Sequence, residues 1–243
     1  MRKLKVYVVG DQTDYANFIT KDYLLVKTMD EADIIIFTGG EDVCPEVYGE
    51  PSGAFTSSNL ERDEYESSEF GNAKKLNRLI VGICRGAQFL TTMNNGRLIQ
   101  HVTNHASGPH KIFIPTENRH IQITSTHHQM MWPYNLKEND YSIIAYADGL
   151  SSKYLDGFDE DKALPENFVE PEIVYYPKTN CLCIQGHPEY MDKKSDAVKF
   201  INLLVDDLLV EESNYIHIDE TNNQLGAGEN MINQPLRLGT AMN

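Results

Sequence analysis

The sequence predicts an α/β three-layer sandwich: a central, mostly parallel sheet, antiparallel strands added on one side, and a nucleophile elbow closing a core strand. Three observations carry this. Fully apolar runs alternate with helix-compatible stretches through the first half, as strands buried on both faces and joined by helices require. Three further apolar runs follow close together with polar turns between them, the spacing of antiparallel or mixed strands. The run Leu79-Ile80-Val81-Gly82-Ile83 leads straight into Cys84-Arg85-Gly86, a strand-to-helix turn with a cysteine at its tip.

Taken in order, Val6-Tyr7-Val8-Val9 reads as a buried strand closed by Gly10 and Asp11. Ile34-Ile35-Ile36-Phe37 is a second, closed by Thr38-Gly39-Gly40. Leu60 to about Asn77 is charged and helix-compatible, with Gly71 the weak point. Leu79 to Ile83 is the third buried strand, and Arg85 to about Met93 a helix. The later runs are Lys111–Ile114, His120–Thr124 and Ser142–Tyr146. Residues 148–170 hold Gly149, Gly157, Pro165 and several acids and read as a surface loop. Ile173–Tyr176 and Cys181–Ile184 form a hairpin around Pro177-Lys178-Thr179-Asn180. A last helix covers about Ser195 to Val210, with Ala197, Phe200, Ile201, Leu204 and Leu208 on one face. Residues 1–211 therefore form one catalytic domain. Residues 212–243, rich in Asn, Gln and Gly, are expected as a loosely docked or mobile tail.

Composition narrows the function. The 243 residues, 41% hydrophobic and 23% charged, suit a globular chain with a sizeable core. A net charge of -15 disfavours binding to nucleic acid or an anionic membrane, and no apolar stretch approaches the roughly 18 residues of a membrane span. Cys44, Cys84, Cys181 and Cys183 make neither a disulfide framework nor a paired metal motif, which points to a reducing, cytoplasmic setting. Cys181 and Cys183 share one strand face and read as core. His101, His105, His110 and His120 are scattered through turns and strands without metal-ligand spacing and are read as non-ligands.

The chemistry centres on Cys84. A tight strand-to-helix turn needs small neighbours, and it aims the thiol at a helix N-terminus, where negative charge is stabilised. The five residues alone leave a reactive thiol and a buried structural cysteine equally open. Far downstream, Gly186-His187-Pro188-Glu189 follows another buried strand. His187 could take the thiol proton and Glu189 could hold the imidazole through its other nitrogen, the order of acyl transfer.

Together these segments resemble the class I glutamine amidotransferase superfamily, and within it the γ-glutamyl hydrolase branch, especially the γ-glutamyl-γ-aminobutyrate hydrolases. Four more segments carry the resemblance: Gly39–Glu50, Arg62-Asp63-Glu64-Tyr65-Glu66, Asn95-Gly96-Arg97-Leu98-Ile99-Gln100 and Ser125-Thr126-His127-His128-Gln129. The resemblance implies a flavodoxin-like three-layer sandwich and a Cys84-His187-Glu189 triad acting on a γ-glutamyl carbonyl without metal or cofactor. It further implies an oxyanion site at the backbone N–H groups of Gly40 and Arg85, with Gln88 and His127 lining the glutamyl pocket. For His127 a satisfied structural histidine remains as good a reading as a substrate contact.

The chain departs from the branch in three places. Gly186 stands where an aromatic residue is usual, which would leave space beside His187 or loosen the strand end. Ala147-Asp148-Gly149-Leu150-Ser151 lacks the glutamate of an Asp-Gly-x-x-Glu stretch. Asn95 replaces a glycine, though it tolerates a left-handed backbone. Three functions stay open: a free-standing γ-glutamyl hydrolase, a glutaminase subunit feeding ammonia to a synthetase or transferase partner, and a silent binding protein. The intact Cys84, His187 and Glu189 weigh against the last.

Overall fold

The computed structural model describes residues 2–225, with side chains through residue 210. Its strands are β1 (Leu4–Val8), β2 (Tyr23–Leu25), β3 (Ile34–Phe37), β4 (Leu79–Ile83), β5 (Arg97–Ile99), β6 (His101–Val102), β7 (His110–Ile114), β8 (Arg119–Ile123), β9 (Met130–Trp132), β10 (Ser142–Ala147), β11 (Tyr154–Leu155), β12 (Glu170–Tyr176) and β13 (Cys181–Ile184). The helices are α1 (Leu60–Leu76), α2 (Arg85–Met93) and α3 (Asp196–Leu225).

Nine strands make one sheet in the order β2-β1-β3-β4-β13-β12-β10-β7-β8. The pairs from β2 through β13 are parallel, and those from β13 through β8 antiparallel. The β-branched runs of β3 and β4 are buried along their whole length, because side chains alternate between two covered faces. Ile34, Ile36, Leu79 and Val81 pack with Phe200, Ile201 and Leu204 of α3. Ile35, Phe37, Ile80, Cys181 and Cys183 pack with Phe70 of α1 and Phe89 and Leu90 of α2. This is the three-layer sandwich. Both hairpin cysteines lie in that core as expected, and burial pushes the Cys181 thiol up to about 12.

Several elements differ from the sequence reading. The strand expected from Ile173 begins at Glu170, because the buried acids Glu170 and Glu172 read as loop residues. The segment 148–170 is not wholly a surface loop: β11 pairs with β6, and Ser151 is buried. Strands β2, β5, β6, β9 and β11 are two or three residues long, too short to show a period. Helix α3 runs on to Leu225, past the end expected near Val210, and no Gly or Pro interrupts that stretch. Residues 226–243 of the expected tail lie outside the described residues.

Candidate active site

The site sits where β4 turns into α2. Cys84 has φ 53° and ψ −111°, a conformation rarely adopted by a residue with a Cβ. Such strain costs about 1–3 kcal/mol and persists only where the surroundings enforce it. Here they do. The Cys84 N–H donates to the Ile184 carbonyl of β13 at 2.8 Å, while its own carbonyl accepts from Ala87 and Gln88. A Cβ on Gly82 would lie 2.6 Å from the Gly86 carbonyl oxygen, and one on Gly86 would lie 2.2 Å from that of Phe37. The two flanking glycines are thus required by backbone packed against backbone.

The first residue of α2, Arg85, has a backbone N–H with no acceptor inside the helix. Its side chain is buried and pairs with Asp63 and Glu66 of α1, with the guanidinium 5.1 Å from the Phe89 ring centre. Asp63 also accepts from the Cys44 N–H at 2.8 Å. Arg62 pairs with Glu66 at 2.8 Å and donates to the carbonyls of Thr38 and Gly39. The Arg62-Asp63-Glu64-Tyr65-Glu66 segment therefore ties the elbow to the Gly39-Gly40 loop. Gly40 has φ 136°, and a Cβ there would lie 2.3 Å from Arg62 Nη1. Gly39 in turn admits Tyr15 and His187, its notional Cβ being 2.6 Å from Tyr15 Oη and 3.2 Å from His187 Cε1.

His187 follows β13, the parallel neighbour of β4, so the fold delivers it to the elbow. Its N–H donates to Thr124 at 2.9 Å, and a turn at Pro188–Tyr190 brings Glu189 back beneath the ring. His187 Nδ1 lies 2.7 Å from Glu189 Oε1. A carboxylate accepts, so Nδ1 carries the proton. Burial disfavours the imidazolium, but the neighbouring Cys84 and Glu189 more than offset it and raise His187 to about 10. Tyr190 stacks on the ring with centroids 5.0 Å apart at 16°, and Tyr15 lies 6.3 Å away. The chain order alone gave no sign of either tyrosine.

The other expected site residues fall as follows. Gln88 is buried on the first turn of α2 and donates to the Gln129 carbonyl at 2.9 Å. His127 Nδ1 donates to the same carbonyl at 2.8 Å, and its buried Nε2 lies 3.6 Å from Glu172 with no hydrogen-bond partner. The expectation of space beside His187 is corrected: a Cβ on Gly186 would lie 2.6 Å from Ile123 Cγ1 and 2.7 Å from the Thr124 carbonyl oxygen. Nor is the strand end loose, since His187 is bonded to Thr124. Asn95 takes φ 64°, as a glycine substitute must. The segment after Gly149 is held by Glu170, which accepts from the N–H groups of Leu150 and Ser151 at 2.9 and 2.6 Å.

Known proteins resemble the chain over parts of its length. Residues 18–132 match the Peptidase C26 family. YvdE of Lactococcus lactis subsp. lactis, named as a glutamine amidotransferase-like protein, is 28% identical over 200 residues, covering 72% of this chain and 73% of that protein. Over residues 18–132 the chain is similar to the Peptidase C26 family, and over a longer stretch to a glutamine amidotransferase-like protein. NtpR of Enterococcus hirae is 36% identical over 78 residues, and there the match spans only 33% of the relative's length. The glutaminase domain of Trypanosoma brucei CTPS, solved with bound acivicin, shares the fold with a TM-score of 0.53 at 10% identity, covering 86% of this chain and 94% of that domain. Among the described residues no helix is long and apolar enough to cross a membrane.

Proposed function

We propose that this class I glutamine amidotransferase-like chain hydrolyses a γ-glutamyl amide or peptide bond through a γ-glutamyl thioester on Cys84. One observation carries the reading: a strained, buried elbow cysteine on β4 beside the parallel strand β13 that delivers His187, whose Nδ1 Glu189 holds at 2.7 Å. Sγ attacks the γ-carbonyl carbon, and the oxygen takes the electron pair as an oxyanion. The N–H groups of Gly40 and Arg85 are suited to receive it, and removing one such donor costs about 3–4 kcal/mol of transition-state stabilisation. The C–N bond then breaks and His187 passes its proton to the leaving amine. In the second half His187 takes a proton from water, the resulting hydroxide attacks the thioester carbonyl, and Cys84 leaves with glutamate free.

A raised His187 suits the first half, because the proton needed by the amine is already on the ring at neutral pH. Gln88 and His127, which both bond the Gln129 carbonyl, would line the glutamyl end of the pocket. The deciding assay offers the purified chain glutamine, γ-glutamyl amines and γ-glutamyl peptides in parallel. Turnover of amines or peptides, abolished in Cys84→Ala with the circular dichroism spectrum unchanged, is expected. Activity unaffected by that substitution defeats the mechanism. Turnover confined to glutamine, and stimulated by added cell extract, favours a glutaminase subunit serving a synthetase or transferase.

A further inference from the structure

The histidines that look scattered along the chain converge in space. His105 follows β6, His110 opens β7, His127 lies between β8 and β9, and Glu170 and Glu172 share one face of β12. All five are buried. Three ring nitrogens surround a single carboxylate oxygen: Glu172 Oε1 lies 3.1 Å from His105 Nδ1, 2.8 Å from His110 Nε2 and 3.6 Å from His127 Nε2. One ligand atom each from His105, His110 and Glu172 falls within 4.8 Å of the others. Neighbouring ligand atoms of a tetrahedral ion with bonds near 2.0–2.1 Å are about 3.3 Å apart.

The hydrogen bonding makes the cluster unusual. His127 Nδ1 meets the Gln129 carbonyl at 2.8 Å, so in the neutral ring Nδ1 carries the proton and Nε2 presents a lone pair. That lone pair points at an ionised carboxylate, acceptor to acceptor, and has no hydrogen-bond partner. Neither nitrogen of His105 has a well-aligned hydrogen bond, and Glu172 Oε2 has none. A cation at the centre satisfies these atoms together. The outer contacts are also those of a metal site: Glu170 Oε2 lies 3.3 Å from His105 Nε2, leaving Nδ1 to ligate, and Gln129 fixes His127 with Nε2 inward. Ser125 holds the His105 loop by donating to the His105 carbonyl.

We propose that His105 Nδ1, His110 Nε2 and Glu172 Oε1, with His127 Nε2 as fourth ligand, form a buried binding site for a divalent transition ion of the Zn2+ type. Two imidazoles and a carboxylate with ligand atoms within 4.8 Å of one another, and a third imidazole nitrogen 3.6 Å from that carboxylate, suit Zn2+ and disfavour the hard cations that demand oxygen ligands. The ion neutralises Glu170 and Glu172 and clamps β6–β7, the 124–129 segment and β12 together, which is a structural role. The site shares no residue with Cys84, His187 and Glu189.

The test uses the full tag-free chain, stripped with a chelator and dialysed against Zn2+ or Co2+. One Zn2+ per chain by elemental mass spectrometry is expected, with a higher melting temperature than the stripped protein. The Co2+ form should show the intense visible bands of four-coordination. His110→Ala and Glu172→Gln should lose the ion, Glu170→Gln should weaken binding by about 10–100-fold, and His120→Ala should retain it. Wild-type protein that takes up well below one Zn2+ per chain overturns the site, as does equal uptake by His110→Ala and Glu172→Gln. Should those variants not fold, the wild-type Co2+ spectrum decides: weak six-coordinate bands, or none, refute it.

Discussion

Replacing Glu189 by Gln keeps the shape of the side chain and removes its charge. The buried Glu189 carboxylate accepts from His187 Nδ1 at 2.7 Å and helps to hold the ring protonated up to about 10. A hydrogen bond to a charged group contributes about 1.5–3 kcal/mol, and one pH unit corresponds to about 1.4 kcal/mol. Loss of the charge should therefore lower His187 by about 1–2 units, to about 8–9. The sign follows from which form is held. The imidazolium is stabilised in the folded chain, so its contribution is fully present below about pH 6.5 and is lost as pH rises through about 10. Above that pH the leaving amine has no acid. The alkaline limb of kcat/KM for a chromogenic γ-glutamyl anilide should fall near pH 10 in the wild type and near 8–9 in Glu189→Gln. The Gln amide oxygen can still accept from Nδ1, so the fold should survive, which circular dichroism checks. Coincident alkaline limbs in the two proteins would refute the role given to Glu189.

Three further outcomes follow from contacts around the elbow. In Gly86→Ala the new Cβ meets the Phe37 carbonyl oxygen at 2.2 Å, so the backbone must shift. A loss of about 1–3 kcal/mol in urea unfolding and a fall in kcat are expected, and an unchanged urea midpoint contradicts the packing argument. Arg85→Met leaves Asp63 buried without its ion-pair partner and Glu66 with Arg62 alone, a loss of about 3–5 kcal/mol at neutral pH that shrinks as the carboxyls protonate in acid. Equal losses at pH 7 and pH 4 would speak against it. Gly186→Trp, which puts an aromatic residue before His187, should lower the melting temperature because Ile123 and Thr124 occupy that space. A rise would show that the strand end can open.

The sheet core was legible because its signal is local. Ile34–Phe37 and Leu79–Ile83 are unbroken apolar runs, and unbroken runs of that length have to be buried on both faces. The elbow was legible because Gly82 and Gly86 bracket Cys84, and the structure supplies the reason in carbonyl contacts no Cβ could clear. His187-Pro188-Glu189 was readable because base and orienter lie two residues apart on one turn. What escaped was assembled over long sequence separations. Tyr15 reaches the His187 ring from the other end of the chain, and nothing near residue 15 marks it. Glu170 and Glu172 look like loop acids until β12 carries them inward to His105, His110 and His127. A histidine's spacing along a chain says little when its partners sit on other strands.

The central claim is that Cys84 carries the acyl group. Mixing the enzyme with a slowly turned over γ-glutamyl ester, quenching in acid within the first turnovers and measuring intact mass with peptide mapping tests this most directly. A single γ-glutamyl adduct on the peptide containing Cys84, labile to hydroxylamine and absent from Cys84→Ala, is the predicted result. An adduct on another residue, or steady turnover with no adduct at any quench time, would contradict the account.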